Sequence, residues 1–158
     1  MKRFLTVILF ASGLFLISCG SNEEKHNDHG GHKTEAPKTA EDSLYNDVMA
    51  GHDEVMPKMG KIRGAQKEAQ RLIDSIAALP AKAQAEAGAL KAKLEELVKD
   101  LSYADFAMDK WMTEFSLDSA KDNLEMRLKY LADEKLKVNK VKDAILNSLA
   151  KADSLLKK

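Results

Sequence analysis

Leu90-Lys-Ala-Lys-Leu-Glu-Glu-Leu-Val-Lys-Asp-Leu-Ser-Tyr-Ala-Asp-Phe-Ala-Met-Asp-Lys-Trp-Met-Thr-Glu-Phe115 sets Leu90, Leu94, Leu97, Leu101, Ala104, Met108, Trp111 and Phe115 at alternating steps of three and four. On an α-helix such steps keep side chains on one stripe. Sustained over several heptads, they specify a seam packed knobs-into-holes against neighbouring helices. A second seam follows: Leu117, Leu124, Leu131, Val138, Ile145 and Ala152 recur every seven residues, with Ala120, Leu128, Val141, Leu149 and Leu155 filling intervening positions approximately. No period-two run competes, so the fold class is all-α.

Working outward, the helical composition begins at Glu41 and is punctuated twice. Pro80, in Ala78-Leu79-Pro80-Ala81, ends one helix and opens the next. Ser116-Leu117-Asp118-Ser119 supplies N-cap side chains for a third. The segments 41–79, 81–115 and 118–157 are of near-equal length, roughly 50–60 Å each at 1.5 Å per residue. Short connections force neighbours antiparallel. The expectation is an up-down-up three-helix bundle, or a long coiled-coil-like hairpin with a third helix laid along it. The alanines from Ala81 to Ala92 permit close approach of the helices at one end. A bundle so rich in heptads can also form a homodimer.

The first eighteen residues form a cleaved address. Lys2 and Arg3 precede an apolar run from Phe4 to Ile17, too short for a comfortable membrane span. Its end, Leu16-Ile17-Ser18-Cys19 followed by Gly20, resembles the lipobox of bacterial lipoproteins, with Leu16, Ser18 and Cys19 at the matching positions. That resemblance implies diacylglyceryl transfer to Cys19, cleavage before it, and acylation of the new amino terminus, palmitate among the acyl groups. Several acyl chains anchor stably where one would not, since each buried methylene adds about 0.8 kcal/mol. Cys19 is the only cysteine, so the chain forms no internal disulfide and keeps no free thiol once lipidated. Loss of residues 1–18 moves the formal charge from zero to −2, a balance that offers nucleic acid no electrostatic footing.

Residues 19–40 carry the lipidated cysteine and a linker of Gly, Ser, Asn, Glu, Lys and His that cannot bury a core. As a flexible chain it spans about 25 Å, enough to hold residues 41–158 clear of the lipid headgroups. Gly20 in place of Asp argues against inner-membrane retention, and Glu23-Glu24 resembles the export signal of surface lipoproteins in the Bacteroidota. Both point to the bacterial outer membrane. His26, His29 and His32 recur every third residue and form a weak candidate site for Zn(II), Cu(II) or Ni(II), or simply a polar spacer.

Met49, His52, Met56 and Met59 lie on one helical stripe. Folding about Pro80 sets His52 near Met108, and Met49 near Trp111 and Met112. Folding about Leu117 brings Met126 level with Met108. All six mature methionines then gather in one half of the bundle beside the only histidine outside the linker. Three accounts stand: core packing around Trp111, an adaptable groove for an envelope protein partner, or a Cu(I) site of thioether and imidazole ligands. Gly51, Pro57, Gly60 and Gly64 interrupt the same segment, so either a kink near Pro57 or a true helix start near Met56 is expected.

His52-Asp53-Glu54-Val55-Met56-Pro57-Lys58-Met59, with Trp111-Met112-Thr113-Glu114-Phe115 downstream, resembles a group of small Bacteroidota lipoproteins described as "viral A-type inclusion protein", a description that reflects coiled-coil similarity and no viral role. The likeness covers about residues 44–131. It implies an envelope lipoprotein of helical fold and transfers no activity. Catalysis has little footing: His52, Asp53 and Glu54 point in different directions on a helix, no nucleophile is spaced to meet them, and no phosphate-cradling loop is present. Lys93–Glu96 and Asp133–Lys137 read as pairs on a solvated face. The sequence therefore favours a non-enzymatic interaction or scaffold module, with copper handling as the alternative.

Overall fold

The computed structural model describes residues 39–156; the stretch expected to be a signal peptide, Cys19 and the histidines His26, His29 and His32 lie outside the described residues. The described chain is all-helical: α1 (Ala40–Val55), a 3-10 turn (Met56–Lys58), α2 (Met59–Ala77), α3 (Ala81–Glu86), α4 (Gly88–Glu114) and α5 (Leu124–Leu156). Helices α1, α2, α4 and α5 pack against one another, and no strand occurs among the described residues. No described helix is long and apolar enough to cross a membrane.

A capping box opens α1. Thr39 Oγ1 accepts from the Asp42 N–H at 3.0 Å, and Asp42 Oδ2 accepts from the Thr39 N–H at 3.1 Å. The pair satisfies two donors that every helix start leaves unpaired. Pro57 then acts as expected of a residue without an N–H: the α-helical ladder tightens into the 3-10 turn, and the Lys58 ammonium covers the Glu54 carbonyl at 2.5 Å. The chain kinks and does not start afresh at Met56. The kink redirects it. Helix α1 packs mainly on α5, whereas α2 packs mainly on α4.

The expected single helix over 81–115 is divided at Ala87, whose N–H is shared between the carbonyls of Ala83 and Ala85. No residue of α3 is buried, so its alanines offer nothing to hold it on the axis of α4. It serves as a corner instead. Gln84 Nε2 reaches back to the carbonyls of Ala77 at 2.9 Å and Leu79 at 2.7 Å, capping the end of α2. Because the corner occupies more chain than a turn at Pro80, the antiparallel register of α2 and α4 moves. Arg63 pairs with Asp105 at 3.0 Å and Gln66 bonds Ser102 at 3.0 Å, whereas a fold about Pro80 would have set Arg63 beside Leu97.

The last helix begins at Leu124, later than the expected 118. Its N-cap is Asn123, whose Oδ1 accepts from the Met126 N–H at 3.0 Å, and not Ser116, Asp118 or Ser119. The intervening turns include Ala120 at φ 58°, a left-handed conformation that costs an L-residue about 1–2 kcal/mol. Tyr130 and Arg127 hold this loop: the Ser116 N–H donates to the Tyr130 hydroxyl at 2.7 Å, and Arg127 Nη1 donates to the Ser119 carbonyl at 2.9 Å. The longer turn leaves Leu117 and Leu124 exposed, so the seven-residue seam is buried only at Leu131, Val138, Ile145 and Ala152. The surface pairs differ as well. Glu96 faces Lys151 of α5, Asp133 pairs with Lys129, and Lys137 with Glu134.

Helix α1 lies parallel to α5, tied by Glu41–Arg127 at 2.9 Å, Asp47–Lys135 at 2.7 Å and Glu54–Lys142 at 3.4 Å. Gly51 makes this approach possible, because a Cβ there would stand 3.0 Å from Val138 Cγ1. By contrast, nothing lies within 4 Å of a Cβ built on Gly88. Gly51→Val should therefore destabilise the fold by about 1–3 kcal/mol through overpacking, while Gly88→Ala should stabilise it by up to about 1 kcal/mol, both read from urea unfolding midpoints.

Candidate functional site

On α1, Val48 and Val55 enter the core, and Asp47 and Glu54 pair with α5 on one flank. Helical spacing puts Met49, His52 and Met56 on the other flank, toward α4. Here the two helices are bridged by rings. The His52 imidazole lies 5.6 Å from Trp111, tilted by 34°, and its Nδ1 is 2.8 Å from Asp53 Oδ1. Trp111 stacks on Phe115 at 4.9 Å, Phe115 on Tyr130 at 6.2 Å, and the Arg127 guanidinium sits 5.9 Å over the Tyr130 ring. Such offset pairs contribute about 0.5–1.5 kcal/mol beyond their buried area.

A buried carboxylate anchors the ladder. Glu134 is 2% exposed; its Oε2 accepts from Trp111 Nε1 at 2.9 Å and its Oε1 from the Lys137 ammonium at 2.7 Å. The indole thus finds the acceptor that a buried Trp requires, and the carboxylate finds both a donor and a counter-charge. The Glu134 carboxylate holds the Lys137 ammonium above the usual lysine range, through their hydrogen bond first and then their charges. Arg127, also buried, is met by Glu41 and by the Ser119 carbonyl. No buried side-chain nitrogen or oxygen among the described residues lacks a partner.

The candidate methionines take different places. Met59 and Met108 are sealed in the core, and Met49 is half-buried. Met56, one helical turn on from His52, and Met112, next to Trp111 in the chain, are 39% and 37% exposed. Met126 is exposed near the start of α5. Phe115, at the end of α4, lies opposite Tyr130, so Met126 falls beyond the end of α4 and not level with Met108. His52 meets Trp111, one turn beyond the Met108 level expected for it. Among the described residues no group of three His, Cys, Asp or Glu side chains could hold a metal ion, so a metal at this face would need thioether ligands.

Sequence reasoning missed Glu134 and Arg127. Extending the three-four alternation in both directions from Leu131 and Val138 lands on Arg127, Glu134, Val141, Ser148 and Ala152, all of them buried. That continuity was the available signal, and the charges on the seam concealed it. Comparison with protein-family models, curated proteins and solved structures finds no match. The site must be read from its own chemistry.

Two outcomes test the anchor. Glu134→Leu strands the indole N–H and should cost about 1–3 kcal/mol in urea unfolding, whereas Glu134→Leu combined with Trp111→Phe should recover much of that loss. Lys137 is raised in the folded state, so its pairing stabilises at neutral pH and the contribution is lost as pH climbs through and beyond the ordinary value of 10.5. Thermal midpoints of wild type and Lys137→Gln should differ at neutral pH and converge at the alkaline end.

Proposed function

We propose that this chain is a lipid-anchored, extracytoplasmic protein of the bacterial outer membrane whose helical body is a non-enzymatic interaction or scaffold module. The anchor is Cys19, acylated at the lipobox, with residues 19–40 as tether. The body is read as an up-down-up three-helix bundle, with α1 and α2 as one kinked arm. Carrying the reading is the exposure of Met56 and Met112 beside the half-buried His52 and the buried Trp111. Unbranched thioethers on a rigid aromatic base make a surface that adapts to an apolar partner without reorganising the fold. The occupant best suited to it is the apolar face of an envelope protein helix.

A second reading has its own observation. Asp53 fixes the His52 ring through Nδ1, the arrangement that orients imidazole ligands in metal sites, and this supports Cu(I) capture by His52 with the flanking thioethers. Mature chain with His26, His29 and His32 changed to Ala separates the two. Anaerobic Cu(I) titration tighter than about micromolar, abolished by Met49, Met56 and Met112→Leu, would establish copper handling in place of the interaction module. Under the interaction reading, copper binding is absent. A partner enriched from envelope membranes is retained by Met56→Leu/Met112→Leu and lost, by tenfold or more, in Met56→Glu/Met112→Glu with an unchanged circular dichroism spectrum. Cys19→Ala should move the protein from the membrane to the soluble envelope fraction and abolish incorporation of labelled palmitate.

A further inference from the structure

A second surface begins at Lys58, just past the Pro57 turn, where the chain passes from packing mainly on α5 to packing mainly on α4. It is a groove of about 640 Å³ between α2 and the C-terminal part of α5, lined by Lys61, Gly64, Ala65, Glu68, Leu146 and Leu149 among others. Its α2 wall is unusual. Gly64 lines it, Gly60 lies one turn earlier on the same helix, and a Cβ built on either meets nothing within 4 Å. Each glycine weakens the helix by up to about 1 kcal/mol relative to alanine, and no internal packing accounts for the cost as Val138 does at Gly51. What the two glycines provide is a bare backbone facing solvent, where another helix can approach closely.

The charges on that wall select the occupant. Lys61 and Glu68 share one face of α2, seven residues apart, with Gly64 and Ala65 midway between them. An antiparallel copy of the same helix, related by a two-fold axis at that midpoint, sets Lys61 opposite Glu68 of the second copy, and the converse, with the small residues at the crossing. Among the described residues no carboxylate pairs with Lys61. The same operation brings Lys58 level with Arg71 of the second copy; Lys58 is held on the Glu54 carbonyl, and Arg71 is held by two bonds on Glu68, whose carboxylate would then serve both Arg71 and the second copy's Lys61. A surface that is its own complement under a two-fold axis is the requirement for a closed, isologous dimer.

We infer that the groove between α2 and α5 receives α2 of a second copy of this chain, making an antiparallel homodimer centred on Gly64 and Ala65 with paired Lys61–Glu68 contacts. The Met56 and Met112 surface plays no part in it, so the dimer and the proposed partner face succeed or fail separately.

The test is sedimentation velocity on residues 19–158, with Cys19→Ser so that acyl chains drive no association. Wild type sediments as a dimer at micromolar concentration. Lys61→Glu or Glu68→Lys, each setting like charges opposite at two symmetry-related places, weakens the dimer by about tenfold or more. The swap Lys61→Glu/Glu68→Lys restores it to within about threefold. Gly64→Leu yields a monomer whose helical circular dichroism is retained. A strict monomer up to 100 μM, or a dimer indifferent to the single charge reversals or not rescued by the swap, would overturn the inference.

Discussion

The missing N–H of Pro57 is the constraint on which the rest of the structure depends. Without it, α1 and α2 would form one rod bound to a single neighbour along its length. The missing N–H leaves the Asp53 carbonyl without its usual helical donor, and the ladder passes into the 3-10 turn, where the Lys58 ammonium takes the Glu54 carbonyl. Helix α1 can then satisfy α5 through Gly51 and three ion pairs, while α2 satisfies α4 through Arg63 and Gln66. Both surfaces with functional interest follow. On one side of the turn, the space between α1 and α4 is bridged by rings and flanked by thioethers. On the other, the space between α2 and α5 is left open.

The buried polar residues answer a related problem. Trp111 carries a donor into the core, and the seam of α5 meets it with Glu134 where an apolar residue would strand it. Arg127 performs the same service at the end of the molecule, joining the start of α1, the α4–α5 loop and Tyr130. These residues give little net stability, because desolvation offsets most of what pairing returns. Their contribution is register. A slip of one residue along α5 would leave an indole, a carboxylate and a guanidinium unpaired at once.

This bears on the methionine face. Its partners in the ladder, Trp111 and Phe115, are held by the Glu134 carboxylate and by Tyr130, so His52 rests on a buried, hydrogen-bonded base. Met56 and Met112, one turn on from His52 and next to Trp111 in the chain, are exposed. A rigid base with soft edges suits recognition of an apolar surface whose details vary.

The helical class, the apolar stripe of α4 from Leu94 to Trp111, and the disturbance at Pro57 were all legible in the amino-acid sequence. Each follows from local periodicity or from the backbone chemistry of one residue. The turns were not. Whether alanine-rich 81–87 continues α4 or folds into a corner depends on what it can bury, and no residue of α3 is fully buried. Whether the last helix starts at Asp118 or Leu124 depends on Arg127 and Tyr130 gripping the loop from about one and two turns into α5. Those choices set the registers, and the registers decided which methionines are core, which are rim, and that Met126 stands apart. Only the tertiary structure could place Glu134 beneath Trp111, because a charged residue in a heptad reads as surface until the partner that needs it is brought across from another helix.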